Sequence, residues 1–451
     1  MRIAIIGGGP AGYEAALVAA GLGAQVTLID RDGLGGACVL WDCVPSKALA
    51  STAETLGGLA NTSAMGVSLP ASPLVHAPTM FQRIQDLAAA QSKDVTRKIE
   101  QAGIRVIAGT ASFTGPYALV TDTGETIAFD AALIGTGSRP RELDAAKPDG
   151  ARILNARQVY DLDEIPERLI VVGSGATGAE FACAFNRLGS HVTLVSSRDR
   201  VLPGEDPDAA HVLEDVFVKR GIEIVKQARA TAAIADATGV TVHLASGEEI
   251  RGSHALFTVG QIPNVEGLGL DHAGVKLGER GTLEVDGVGR TNVHHIYAAG
   301  DVTGGMMLAS SAAMQGRIAV WHALGQAVAP LRPDAIAATV FTDPEIATVG
   351  ISEATAAERG LAVEKIVQPL ATNARAKMGA VTDGFVKVLC LPGSGTVVGG
   401  TIVAPHASDL VLSLSLAVHA RLNVAQVAQA FSIYPSLGGS VQEAARRLMG
   451  R

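Results

Sequence analysis

RIAIIGGGPAG, Arg2 to Gly12, decides how this chain is read. A short apolar strand runs straight into a turn with glycines at 7, 9 and 12. A helical stretch follows, and then the strand QVTLID, which ends in Asp30. This is a βαβ unit of the length expected for a dinucleotide site. Glycines allow the tight turn and let the backbone approach a pyrophosphate. The pyrophosphate then sits on the helix N-terminus, where unpaired N–H groups and the dipole favour negative charge. The pattern recurs after LIVV, with Gly173, Gly175 and Gly178 in GSGATG, a helix, and HVTLVSS. One glycine-rich turn is as often structural as functional, but two complete units point to two dinucleotide sites.

Working outward, the 451 residues are too many for one core. The composition, 48% hydrophobic and 18% charged with 52 glycines, is that of a globular α/β protein. A net charge of -8 and scattered Lys and Arg argue against a nucleic-acid or anionic-membrane partner, which needs a basic face. Four cysteines make no disulfide framework, so a cytoplasmic location is expected. The apolar N-terminus is broken by glycines and Pro10 and carries Glu14, so it reads as strand, turn and buried helix. No membrane span and no metal site are expected.

ALIGTGSRPR (Ala132 to Arg141) and ALFTVGQIPN (Ala255 to Asn264) close the two units in nearly the same way, as an internal duplication would. HIYAAGDVTG (His295 to Gly304) returns the chain to the first domain. Helices are expected between Ser46 and Gly103, and alternating strands then helices from about Pro333. The expected architecture is therefore α/β: two doubly wound dinucleotide-binding domains and a C-terminal α+β domain. The first domain is discontinuous, 1–145 and 265–332; the second is 146–264; the third is 333–451.

GGGPAGYEAA, GGACVLWDCVPSK, GSGATGAE and AAGDVTG, in that order before a C-terminal α+β domain, make the chain similar to the flavoprotein disulfide reductases. That family includes lipoamide dehydrogenase, glutathione reductase and mercuric reductase, and the similarity spans essentially the whole chain. It implies FAD in the first domain, NADPH or NADH in the second, and a homodimer built through the third. FAD is then expected on Gly7, Gly9, Pro10, Ala11 and Gly12, with Asp30 at the adenosine ribose and Arg31 beside it. Gly36, Ala37 and Lys47 follow, then Ala111, Thr136 and Gly137. Asp301 matches the ribityl-binding aspartate, with Leu308 and Ala309 behind it. NAD(P)H is expected on Gly173, Gly175, Ala176, Thr177, Gly178 and Glu180, and on Ser196, Ser197, Arg198 and Gly260.

The same resemblance pairs Lys47 with Glu180. It implies a cation beside flavin N5, held by a carboxylate, which favours the reduced anionic flavin. At the end of the second-fingerprint strand the acid usual in NADH users is replaced by Ser196 and Ser197, with Arg198 and Arg200 beyond. Loss of that acid removes repulsion toward a 2′-phosphate, which favours NADPH, with dual use open.

ACVLWDCVPSK holds the family's dithiol position, Cys38 and Cys43. On a regular helix residues five apart have Cα atoms roughly 8–9 Å apart, beyond the ~7 Å a disulfide spans. The pair therefore requires an irregular turn, which Pro45 would help to form. Zinc would need two more ligands than the pair provides. Cys183 and Cys390 read as buried apolar residues.

Disulfide exchange also needs a general acid–base. The family's His-Pro, with a glutamate five residues on, becomes SIYPSLGGSVQEAARRL here: Tyr434 stands at the histidine and Gly439 at the glutamate. Tyrosine is a poor base at neutral pH, and Glu443 lies one turn too far. Trp41 and Asp42 between the cysteines are expected to hinder thiolate chemistry. The extra cysteine pair of mercuric reductase is not expected in the LMGR ending. The chain further resembles actinobacterial lipoamide dehydrogenase homologues that act as NAD(P)H:quinone reductases, through Tyr-Pro-Ser, VLPGED (Val201 to Asp206) and NARAKM (Asn373 to Met378). The resemblance implies electron transfer from NAD(P)H through FAD to a quinone or similar acceptor. Two alternatives stand beside it: a dithiol reductase of an unusual disulfide, and a flavin-loaded redox sensor.

Overall fold

The structure is a computed structural model that describes residues 1–60, 62–69, 71 and 73–450. Arg451, the last residue of the expected third domain, lies outside the described residues. The chain divides into two compact units: 1–48 with 81–141 and 260–331, and 49–80 with 142–259 and 332–451.

The first unit is built on a parallel five-stranded sheet ordered Ile296–Ala298, Ala131–Ile134, Arg2–Ile6, Gln25–Asp30, Arg105–Ala108. Arg2–Ile6 is buried from Ile3 onward because both faces of a parallel sheet are covered. Alternation then divides its residues. Ile3 and Ile5 pack with the alanines of helix Pro10–Gly21, and Ala4 and Ile6 pack with Phe113, Leu119 and Phe129. Ile5 is fully buried, so its truncation to alanine would cost about 2–5 kcal/mol. Helix Pro10–Gly21 starts on a proline and buries only Ala11, Gly12, Ala15, Ala16 and Ala19. Small residues let helix Ala309–Ala323 come so close that a Cβ on Gly316 would lie 2.1 Å from the Ala11 carbonyl oxygen.

The second unit repeats this plan. Its parallel sheet is ordered Glu223–Val225, His191–Val195, Arg168–Val172, His254–Phe257, Ile153–Asn155. It also carries an antiparallel sheet ordered Ala337–Val340, Glu345–Gly350, Val397–Ala404, Phe385–Cys390, Glu364–Pro369. Helices Ala407–His419 and Gly439–Leu448 supply Val411, Leu414, Ala444 and Leu448 to the core of that sheet. Lys387, in strand Phe385–Cys390, has a side chain only 1% exposed and is paired with Asp206, Asp208 and Glu353 at 2.9, 2.6 and 2.9 Å. Burial by itself would lower the lysine's pKa. The hydrogen bonds with Asp208, Asp206 and Glu353 overcome it and hold the pKa above its usual range. The helices expected between Ser46 and Gly103 are Cys43–Ala60 and Ala77–Gln101.

Candidate functional site

The two glycine turns have the same construction. In the first, Gly7 (φ +104°) and Gly12 are locked by backbone. A Cβ on Gly7 would lie 2.3 Å from the Gly135 oxygen, and one on Gly12 would lie 1.8 Å from the Gly7 oxygen. Over Gly9 the nearest heavy atom would be 3.9 Å away. In the second, a Cβ on Gly173 would lie 2.4 Å from the Thr258 oxygen and one on Gly178 1.8 Å from the Gly173 oxygen, while nothing lies within 4 Å at Gly175. Gly9 and Gly175 are also the N-caps of helices Pro10–Gly21 and Ala176–Arg187, without a side-chain cap. Open space over an uncapped helix N-terminus suits a pyrophosphate in shape and charge.

Around the first turn the backbone is tightly held. Asp30 accepts from the amides of Gly8 (2.6 Å), Asp32 (2.9 Å) and Gly33 (2.7 Å). Arg31 is exposed and donates to Asp32. Gly36 (φ +57°) packs so near Gly9 that a Cβ there would lie 2.7 Å from the Gly9 Cα, and Ala37 continues helix Gly36–Leu40. Ala111 is buried at the start of strand Ala111–Gly115. Thr136 donates its hydroxyl to the Asn264 carbonyl oxygen, and Asn264 donates to the carbonyl oxygens of Thr136 and Gly137. Asp301 follows strand Ile296–Ala298 and accepts from the Ser138 hydroxyl at 2.7 Å. Burial raises the Asp301 carboxyl, and the Ser138 bond acts against it. Leu308 and Ala309 open helix Ala309–Ala323, and Gly260 pairs with the Arg141 amide.

The cysteine segment breaks between two helices, Gly36–Leu40 and Cys43–Ala60. Trp41 leaves helical geometry (φ -137°), and the Asp42 amide reaches back five residues to the Ala37 oxygen at 2.8 Å. That irregular turn puts Cys38 and Cys43 in hydrogen-bond contact, and both are present as thiols. The Cys43 bond, burial and the Asp42 charge push the Cys38 thiol up, while Lys47 pulls it down. Lys47 is half-buried and donates to the Ser46 hydroxyl.

In the second unit Ala176 and Thr177 are exposed at the helix start, whereas Glu180 turns inward and accepts from the Phe341 amide at 2.9 Å. Lys47 belongs to the first unit and Glu180 to the second. Cys183 is more than apolar filling. It accepts from the Asp343 amide (3.3 Å), and burial pushes its pKa up to about 11. Arg187 and Arg220 both bind Asp343, at 2.6 and 2.8 Å. Ser196 is fully buried and bonded to the Ser174 hydroxyl at 2.7 Å, while Ser197 and Arg198 are exposed. Arg200 donates to the Pro203 carbonyl oxygen. Near the C-terminus Tyr434 is 84% exposed and precedes a cis peptide bond to Pro435. Gly439 begins helix Gly439–Leu448, and Glu443 is taken up by Arg446 at 2.6 Å.

Sequence reasoning missed Ser138, Ser174, Asn264 and Asp343. Ser138 and Ser174 sit inside motifs already singled out, so their position was the available signal. Asn264 likewise ends a stretch already singled out, Ala255 to Asn264, whereas Asp343 acts across 156 residues, where no local pattern speaks. Among the described residues no cluster of three or more His, Cys, Asp or Glu is arranged to hold a metal. Nor is any helix long and apolar enough to cross a membrane among them.

Known proteins agree with this construction. Residues 1–316 match the family described as pyridine nucleotide-disulphide oxidoreductase, and residues 336–445 match its dimerisation domain. The NAD(P)H dehydrogenase (quinone) of Mycobacterium tuberculosis is 49% identical over 99% of this chain and 94% of its own. A dihydrolipoyl dehydrogenase of Staphylococcus aureus is 36% identical over 99% and 96%. The crystal structure of LpdA from Mycobacterium tuberculosis superposes with a TM-score of 0.95 at 48% identity, covering 100% of both chains. The HOCl-induced flavoprotein disulfide reductase RclA of Escherichia coli shares the fold, with a TM-score of 0.88 at 24% identity and 99% of both chains covered. The chain therefore belongs to the pyridine nucleotide-disulphide oxidoreductases, an enzyme family whose membership implies FAD and NAD(P)H.

Proposed function

We propose that the chain passes electrons from NAD(P)H through FAD to a quinone or similar small acceptor. The observation that carries this reading is the state of the dithiol. Cys38 is bonded to Cys43, which together with burial pushes its thiol pKa up, and a tyrosine stands at position 434, where exchange would need a base. The relative named NAD(P)H dehydrogenase (quinone), at 49% identity, supports it. When bound, FAD supplies the two-electron relay between nucleotide and acceptor.

The chain's own residues bind and orient. The uncapped N-termini behind Gly9 and Gly175 are assigned to the pyrophosphates of FAD and NAD(P)H, and Asp301 to the ribityl chain. Lys47 supplies the cation beside the flavin ring, and in the second unit Glu180 is held by its bond to the Phe341 amide. The proposed working domains are 1–145 with 265–332, 146–264 and 333–451. A cytoplasmic homodimer completes the proposal. The matched dimerisation segment exposes Leu412, Leu416, Phe431 and Ile433, of which Phe431 is fully and Ile433 82% exposed.

Steady-state oxidation of NADPH with menadione or benzoquinone tests the reading. Turnover well above that with lipoamide is expected, and none above background would overturn it. The hydrogen-bonded cysteine pair favours one second reading, a reductase of an unusual disulfide. That reading requires a thiolate–flavin charge-transfer band on anaerobic reduction, lost in Cys43→Ser.

A further inference from the structure

The chain leaves the first unit after Arg141 and returns to it at Gly260. Inside that unit the two crossings are tied together as an antiparallel ribbon, Ser138–Pro140 against Gln261–Pro263. The Arg141 amide donates to the Gly260 oxygen at one end. The bonds between Thr136 and Asn264 close the other, and Arg139 holds Glu266 with two bonds of 2.9 and 2.8 Å. The ribbon also reaches the residue assigned to the ribityl chain. Ser138 is buried, and its hydroxyl donates to Asp301 Oδ2 at 2.7 Å. Asp301 begins the short turn Asp301–Thr303, whose backbone is held by other groups. The Gly300 amide donates to Gln315 Oε1 at 2.7 Å, and the Thr303 hydroxyl donates to the Gly300 oxygen at 2.8 Å. That turn lies beside the first glycine fingerprint, since a Cβ on Gly300 would be 3.6 Å from the Ala11 Cβ. Among the described residues no group donates to Asp301 Oδ1. The carboxylate is half-buried, where an oxygen without a donor costs free energy that a ligand hydroxyl would recover.

We propose that Ser138 is a positioning residue for FAD: by taking Oδ2 it aims Asp301 Oδ1 at the ribityl hydroxyls, and through the shared carboxylate it makes bound FAD brace the crossover ribbon. This inference rests on the assignment of Asp301 to the ribityl chain. A hydroxyl has one hydrogen, and giving it to Oδ2 fixes the rotation of the carboxylate and decides which oxygen is left for the ligand. The group that fits Oδ1 is a neutral donor such as a sugar hydroxyl, because a carboxylate repels an anion and bonds a hydroxyl with the added strength of its charge. Ribbon and flavin then hold opposite oxygens of one side chain. Each removes rotamer freedom that the other would otherwise have to remove, so the two are coupled.

Two measurements on the FAD-loaded protein test this without turnover: FAD release on dilution, followed by flavin fluorescence, and hydrogen–deuterium exchange of the ribbon. Asp301→Ala is expected to speed release at least about tenfold, and Ser138→Ala about three- to tenfold, as for one bond to a charged group. In the Asp301→Ala background, Ser138→Ala is expected to add less than about twofold, because its effect on the flavin runs through the carboxylate. Additive effects overturn the positioning role. Faster release in Asp301→Ala with unchanged release in Ser138→Ala overturns this inference alone, whereas unchanged release in Asp301→Ala overturns the ribityl assignment as well. Exchange in residues 138–141 and 260–263 should rise about threefold in Ser138→Ala, with strand Arg2–Ile6 unchanged. Unchanged exchange in the ribbon, or an equal rise in that strand, overturns the brace. If Asp301→Ala purifies without flavin, release and ribbon exchange in Ser138→Ala still decide the inference, and no change in either overturns it.

Discussion

The Cys38 and Cys43 thiols are hydrogen-bonded to each other although the residues belong to different helices, Gly36–Leu40 and Cys43–Ala60. A continuous helix would hold them too far apart. The break at Trp41 and Asp42 brings them together and places an acidic residue in the turn between them.

Asp42 therefore works against thiolate formation at Cys38, with Cys43 and burial acting in the same direction and Lys47 opposing. Tyr13 also lies in the electrostatic reach of Cys38, and Glu14 and Arg317 act on that tyrosine. A raised thiol pKa means that the reactive thiolate forms only as pH climbs, so removing the Asp42 charge should shift reactivity toward neutral pH. Asp42→Asn is expected to speed iodoacetamide alkylation of Cys38 about three- to tenfold at mildly alkaline pH, read by peptide mass spectrometry. Equal rates in the two proteins would refute this role.

Two glycines of one turn should fail differently. Gly12→Ala drives a Cβ to 1.8 Å from the Gly7 oxygen and is expected to prevent folding of the first unit. Gly9→Ala meets no protein atom closer than 3.9 Å at a φ of -71°, so the fold should survive. Its FAD content, measured from absorbance after purification, is nevertheless expected to fall at least about tenfold, as a methyl group enters the space assigned to the pyrophosphate. Full occupancy in Gly9→Ala would remove that assignment.

Lys387 is the buried centre of three carboxylates. Its folded pKa is raised, so its contribution to stability is complete below its ordinary value of 10.5 and is lost as pH rises through the higher folded value. Asp208 and Glu353 are lowered, so theirs is present above 3.8 and 4.5 and is lost as pH falls through the lower folded values. Lys387→Met strands the acids. It should cost about 3–5 kcal/mol at neutral pH, with a penalty that shrinks once they are protonated. Denaturant titrations at neutral and acid pH check both parts.

Phe431 and Ile433 expose nearly their whole side chains in a segment matched to a dimerisation domain. Replacing both with aspartate should shift the protein from dimer to monomer in light scattering, with the secondary structure retained in circular dichroism. A burial cost of several kcal/mol for the two charges exceeds what an interface of ordinary size tolerates. A dimer that persists in the variant would place the interface elsewhere.

The two glycine turns were legible because their physics is local. A strand, three glycines and a helix N-terminus make a phosphate cradle in a dozen residues, and the structure reproduces that construction at Gly9 and Gly175 down to the uncapped helix starts. The need for an irregular turn at Cys38 and Cys43 followed from helix geometry in the same way. What a side chain does once several acceptors compete for it was not legible. Ser196 looked like a nucleotide contact by position, yet its hydroxyl is consumed by Ser174 and the Arg198 amide. Cys183 looked like apolar filling, yet it binds the amide of Asp343, 160 residues away.

The sequence by itself thus determined the two βαβ units and the place of the cysteine pair, because each depends on residue type at short range. Only the tertiary structure decided which polar groups remain available. Asp30, Ser196 and Glu180 each take one hydrogen-bond partner from another loop or strand. A buried donor or acceptor must be satisfied by whatever the fold brings beside it, whichever part of the sequence supplied it.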